Sequence, residues 1–144
     1  AEPLKILGTY ERGAITPAPM TVSAQVNRVA VEHGHTVCMS VKLATSATPD
    51  GAIAAIRSWK GAVSSLGLPS APVSPVVVTM ERDRPQPRRD VNAGGGMTVV
   101  VGRVRTDPLL DLRLVAMGHN TVRGAAGASI LNAELLVARG LIAR

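Results

Sequence analysis

The chain has no phenylalanine, and Tyr10 and Trp59 are its only aromatic residues, so an apolar interior must be assembled from Val, Leu, Ile, Ala and Met. Aromatic platforms for stacking single-stranded bases are disfavoured for the same reason. Cysteine occurs once, as Cys38. It cannot close a disulfide within the chain, and a reducing, cytoplasmic setting is the expectation. No apolar run approaches the length of a membrane span. The opening residues, AEPLKILG, have neither a basic start followed by an apolar stretch nor a cleavage-like site. They do not read as a targeting peptide and are expected to be the middle of something longer.

What is present is 144 residues, 46% of them hydrophobic, enough for one domain with a real core and too apolar for disorder. The net charge is +6. A basic balance can signal a nucleic-acid partner, but the arginines are spread along the chain. Their one concentration, ERDRPQPRRD, interleaves Glu81, Asp83 and Asp90 with Arg82, Arg84, Arg88 and Arg89. That pattern suits an intramolecular or subunit contact better than a phosphate-tracking stripe, so neither nucleic acid nor membrane is expected as a partner.

Periodicity and turn residues predict alternating strands and two helices. Met20–Val31 and His35–Leu43 are rich in β-branched residues and flank a glycine turn, which predicts an antiparallel hairpin. A helix is predicted from Thr48 as N-cap and Pro49 as first residue, with Ile53, Ile56 and Trp59 or Lys60 on one face and an end at Lys60 and Gly61. VVVTM is a short buried strand, and Met97–Arg105 and Leu112–Met117 are strands joined by TDPLLD. A last helix runs through VRGAAGASILNAELLVARG and closes at Gly140. The order predicts an α+β fold with a mainly antiparallel or mixed sheet.

The stretch NRVAVEHGHTV, continuing into HTVCMSV, collects polar residues that could do chemistry. On a strand, His35, Val37 and Met39 share one face while Thr36, Cys38 and Ser40 share the other. His35 and Cys38 then point apart, a poor arrangement for a nucleophile and its base, and Cys38 is expected to be a small structural residue. His33, His35 and His119 lack companion ligands at metal-binding spacing, so no metal is expected. From pattern alone, His35 is a hydrogen-bonded histidine at a strand start. Arg28 places a charge on the face of Val22, Ala24 and Val26. A two-residue turn would pair it with Met39 and give it the face of His35; a three-residue turn would give it that of Cys38. An anion-binding fork and an arginine paired to a carboxylate in an interface stand side by side as readings.

SAQVNRVAVEHGHT, RDRPQPRRD, GGGMTVVVGRVRTDP and GHNTVRGAAGASILNAELL, in that order, resemble the C-terminal part of aspartate-semialdehyde dehydrogenase in its archaeal and fungal branch. The resemblance covers essentially the whole chain. It implies a C-terminal domain of the glyceraldehyde-3-phosphate dehydrogenase type, carrying acid/base and substrate-binding residues and the subunit interface. It also implies NADPH-dependent reduction of L-aspartyl 4-phosphate to aspartate semialdehyde, through a thioester on a cysteine, in the biosynthesis of lysine, methionine and threonine. On the matched motifs His35, in GHT, is the acid/base histidine, and Arg28, in NRV, grips the substrate carboxylate. Asn120, in HNT, lies beside the nicotinamide carboxamide, and Gly124, Ala125, Ala126 and Gly127 let a helix start approach cofactor or a neighbouring domain.

In the family the nucleophilic cysteine, the glycine-rich loop for NADP and an acidic segment ending in lysine lie upstream of the first residue here, and Cys38 is no substitute. Residues 1–144 are expected to be a partial catalytic and dimerisation domain, truncated on its N-terminal side at Ala1 and inactive alone. Its last helix, about 121–139, would pack on the missing NADP-binding domain and expose Ile130, Leu131 and Leu135. MTVVVGRVR falls in the family's interface region, so a homodimer or homotetramer is expected. A malonyl-CoA reductase-like sister enzyme and a non-catalytic dimerisation module are the alternatives.

Overall fold

The computed structural model describes residues 2–61 and 63–142 and divides into two units, 1–30 and 31–144. Ala1, where truncation is expected, lies outside the described residues. In the first unit, helix α1 (Glu2–Ile6) leads into a hairpin of β1 (Thr9–Glu11) and β2 (Ala14–Thr16). Arg12 and Gly13 make its turn with φ of 50° and 83°. Positive φ at both central residues gives the twist that a tight antiparallel hairpin needs. The Ala18 N–H returns to the Leu4 carbonyl at 2.8 Å. Residues 17–30 are irregular and almost wholly exposed, so the expected strand Met20–Val31 is not formed. β-branched residues favour a strand only where a neighbour takes up their backbone hydrogen bonds, and the partner of His35–Val41 is a different strand.

The second unit holds β3 (His35–Val41), α2 (Pro49–Ser58), β4 (Val76–Val78), α3 (Pro87–Asp90), β5 (Val99–Thr106), β6 (Leu112–Gly118) and α4 (Gly127–Ala138). The four strands form one sheet in the order β3-β6-β5-β4, antiparallel except for the parallel pair β4 and β5. The expected α+β class with a mainly antiparallel sheet is what forms. Met39 faces Leu114 rather than Arg28, so neither anticipated hairpin register exists.

Local chemistry explains several boundaries. Thr48 caps α2 by accepting the Gly51 N–H at 3.1 Å, with Pro49 at the first helical position. The helix ends one residue before Trp59, which is extended and exposed. In TDPLLD the Asp107 carboxylate accepts the N–H groups of Leu109 and Leu110 at 2.9 Å each, and the Ser40 hydroxyl at 2.9 Å. Asp111 takes the Leu43 N–H at 2.6 Å and the Lys42 ammonium at 3.0 Å. These two carboxylates close the β5–β6 hairpin and fasten the end of β3 to it. Their backbone donors, Leu110 and Leu109 for one and Leu43 for the other, hold both below the usual aspartate range.

Val100, Val101, Leu112 and Met117 are buried in the sheet, and Ile53 of α2 is buried beside it. A second apolar cluster joins Leu68 and Met97 to Leu131 of α4, with Leu135 partly buried against it. The expectation that Leu131 and Leu135 would be exposed is therefore corrected: both pack inside this chain. The loop before β4 supplies the surface they need, and Glu134 anchors that loop through the Ser70 N–H and hydroxyl at 2.9 and 2.8 Å. Ile130 and Leu136 are the leucine and isoleucine side chains of this helix that remain exposed.

Candidate active site

The basic connection before β5 is held in shape by its own ion pairs. Asp90, buried at the end of α3, receives the Arg84 Nε–H at 2.7 Å and a second bond from Arg84 Nη2, a two-point fork, while the Gln86 N–H adds a third at 2.6 Å. Hydrogen bonding from Arg84 holds the Asp90 carboxyl below its ordinary range despite burial. Arg89 pairs with Asp83 at 3.3 Å. The intramolecular role expected for this stretch is met.

The fork fixes Pro87, and Pro87 forms one wall of the turn that leads into β3. Gly34 is buried there with φ of 113°, and a Cβ on it would lie 3.1 Å from Pro87 Cβ and 3.5 Å from Met117 Sδ. Only glycine enters that corner without strain. Its N–H donates to Asn120 Oδ1 at 2.9 Å. Because that oxygen is held by a backbone donor, the Asn120 amide nitrogen keeps its hydrogens for another acceptor. GHT and HNT, 86 residues apart at this bond, are thus brought to one end of the sheet, where His35 pairs with Gly118 across β3 and β6.

His119, buried just after β6, holds this corner from beneath. Its Nδ1 accepts the N–H groups of Thr121 and Val122, both at 3.3 Å, and lies 3.2 Å from the Thr121 hydroxyl. Two backbone donors converge on Nδ1, so that nitrogen is the acceptor of the ring. The imidazole serves as a helix cap for the turn that follows, where Gly124 N–H reaches the His119 carbonyl and Ala126 N–H reaches the Thr121 carbonyl, each at 2.9 Å. These five-residue steps make a π-helical turn over Val122–Ala126 ahead of α4, a feature frequent at functional sites. The His33 ring stacks on His119 with centroids 4.7 Å apart, and Gly96 is packed so that a Cβ would sit 3.1 Å from His119 Cδ2.

Nothing in the sequence pattern singled out His119 or Gly96 for this supporting role. The available signal was GGG followed by a strand, since Gly94, Gly95 and Gly96 all take positive φ. His35 itself is exposed. Cys38 is exposed on the face of β3 opposite to that of His35, as the alternation of the strand requires. Arg28 lies in the first unit, exposed and in irregular backbone. At Gly127 a Cβ would come within 2.5 Å of Met97 Sδ, so the small residue there serves packing inside this chain. Among the described residues no group of three or more potential ligands could hold a metal ion.

The family described as semialdehyde dehydrogenase, dimerisation domain, matches residues 2–123. This chain belongs to that family. The semialdehyde dehydrogenase domain is 49% identical over 137 residues to the aspartate-semialdehyde dehydrogenase of Methanothermobacter thermautotrophicus, covering 94% of this chain and 40% of that protein. It is 45% identical over 130 residues to the Saccharomyces cerevisiae enzyme of the same name, covering 89% of this chain and 36% of the relative. The crystal structure of the Candida albicans aspartate-semialdehyde dehydrogenase with NADP superposes with a TM-score of 0.89 at 44% identity, over 98% of this chain and 41% of that one. The chain therefore spans about 40% of the length of the curated relatives it matches. The fold is that of a glyceraldehyde-3-phosphate dehydrogenase-like C-terminal domain.

Proposed function

We propose that this domain is the acid/base and dimerisation part of an aspartate-semialdehyde dehydrogenase, acting within a longer protein that reduces L-aspartyl 4-phosphate to aspartate semialdehyde and phosphate. The observation that carries the reading is the Gly34 N–H to Asn120 Oδ1 bond. It places the histidine-bearing motif and the amide-bearing motif at one corner, with a donor left free on Asn120.

NADPH, when bound, supplies the hydride. The fit to this chain is in the donor set: the free Asn120 N–H group suits the carbonyl oxygen of a nicotinamide carboxamide. His35 gives a proton to the substrate carbonyl oxygen as that atom gains charge and takes it back as the aldehyde carbonyl forms; imidazole changes charge in the range where both transfers are useful. Arg28 grips the substrate carboxylate through its planar fork. The nucleophilic cysteine belongs to a part of the protein outside this chain, so the isolated domain is inactive. The exposed Ile130 and Leu136 of the last helix face the cofactor domain, the strand containing Arg103 and Arg105 belongs to the subunit contact of a homodimer or homotetramer, and the enzyme works in the cytoplasm.

The test is made on the full reading frame, by following phosphate-dependent NADP reduction with aspartate semialdehyde, and in parallel CoA-dependent reduction with malonate semialdehyde. Activity with the first substrate is expected. Activity confined to the second, or none with either in a folded protein, overturns the proposal.

A further inference from the structure

His119 is buried, and its ring is met on three sides. The His33 ring lies over its face, with centroids 4.7 Å apart and planes at 29°. Gly96 leaves room at its edge, where a Cβ would stand 3.1 Å from His119 Cδ2 and 3.1 Å from Val122 Cβ. Its Nδ1 takes the N–H groups of Thr121 and Val122, both at 3.3 Å. His33 Nδ1 is buried with no hydrogen-bond partner among the described residues, so that ring contributes its face and not a bond from this nitrogen.

Accepting the N–H groups two and three places on is what an Asn or Asp side chain does at a turn or a helix start, and here an imidazole does it. The residue enclosed between acceptor and donors is Asn120. The His119 side chain bonds to the Thr121 N–H, and the His119 carbonyl accepts the Gly124 N–H at 2.9 Å, so the peptide units on both sides of Asn120 are held. The Asn120 side chain is held separately, at Oδ1, by the Gly34 N–H. Residues 33 and 34 thus engage residues 119 and 120 in turn, one by ring contact and the other by a hydrogen bond. The cap holds the backbone beneath the amide, and the two restraints together aim the amide nitrogen.

We infer that His119 is a positioning residue for the cofactor: its Nδ1 acceptor sets the direction of the Asn120 amide, and through it the grip on the nicotinamide carboxamide. This rests on the reading of Asn120 as the nicotinamide contact and adds a residue that acts only through Asn120. The acceptor, more than the bulk of the ring, carries the effect, because without it the Thr121 and Val122 N–H groups are left open at the start of the helical turn.

Two variants of the full reading frame separate acceptor from ring. His119→Asn keeps an acceptor within reach of the same N–H groups and gives up the stack; His119→Phe keeps a ring for the stack and gives up the acceptor. In phosphate-dependent NADP reduction with aspartate semialdehyde, the KM for NADP should rise roughly two- to tenfold in His119→Phe, the worth of one hydrogen bond, with a smaller change in the KM for aspartate semialdehyde. In His119→Asn the KM for NADP should return toward the wild-type value. A residue that only filled space would give the opposite order. Hydrogen exchange at Gly34, read by mass spectrometry on the peptide that spans it, should quicken in His119→Phe more than in His119→Asn, whatever Asn120 contacts. A wild-type KM for NADP in Asn120→Ala would remove the nicotinamide reading itself. A raised KM there with a wild-type KM in His119→Phe, or a larger rise in His119→Asn than in His119→Phe, would overturn the inference about His119 alone. The wild-type protein gives a check that needs no variant to fold: its imidazole 15N spectrum should show an unprotonated Nδ1 at His119, and a proton on that nitrogen would overturn the inference.

Discussion

Asn120→Ala and Asn120→Asp separate two roles carried by one side chain. In the structure Asn120 Oδ1 accepts the N–H of buried Gly34 at 2.9 Å. Alanine leaves that donor without a partner, at a cost of about 1–3 kcal/mol. Expressed as local opening at Gly34, this is roughly a 5- to 150-fold faster amide exchange. Aspartate keeps an oxygen acceptor for the Gly34 N–H, so exchange should stay within about threefold of wild type. It has no amide hydrogens to give, and in the full reading frame the KM for NADPH should rise in both variants. Amide exchange at Gly34 measured by NMR, with steady-state kinetics in parallel, checks both halves. Unchanged exchange in Asn120→Ala, or equal acceleration in both variants, would refute the reasoning.

Leu131→Ala removes a buried side chain from the cluster with Leu68 and Met97 and should cost about 2–5 kcal/mol in urea unfolding; a loss under about 1 kcal/mol would mean that α4 is not seated there. Gly102→Ala would put a Cβ 2.5 Å from the Arg84 carbonyl oxygen and 2.8 Å from Thr79 Cγ2, and should destabilise by roughly 1–3 kcal/mol, read as a lower unfolding midpoint. The Leu110 and Leu109 N–H groups hold Asp107 below its ordinary value of 3.8. The folded carboxyl is the stronger acid, so its contribution is complete at neutral pH and is lost as pH falls through 3.8 toward the lower folded value, beginning near pH 5. Urea midpoints measured from pH 7 to pH 3 should fall less steeply in Asp107→Asn than in wild type.

Legibility followed the range of the interactions. Thr48 and Pro49 announce α2 because a cap and a fixed φ act within one turn, and TDPLLD marks a hairpin because Asp107 bonds to residues two and three places on. The partner of β3 was not legible. Met20–Val31 has strand-forming residues, but the hydrogen-bonding neighbour of His35–Val41 is β6, far along the chain at Leu112–Gly118, and no local preference encodes that choice. The hairpin around Arg12 and Gly13 was missed although a glycine between two short β-prone runs offered a signal. At the candidate site, His35 and Asn120 were visible as motifs, while the bond through Gly34 was not, because it joins a backbone donor to a side chain 86 residues distant. His119 was read only as a histidine without metal partners; its cap and its stack on His33 depend on the fold.

The measurement closest to the central claim is the pH–rate profile of the full reading frame and of His35→Ala, following phosphate-dependent NADP reduction with aspartate semialdehyde. Loss of the acid/base imidazole should lower kcat by about 10²–10⁴-fold, remove the ionisation attributed to histidine from the profile and leave the folded state intact by circular dichroism. A folded His35→Ala protein with a wild-type kcat and an unchanged profile would contradict the account.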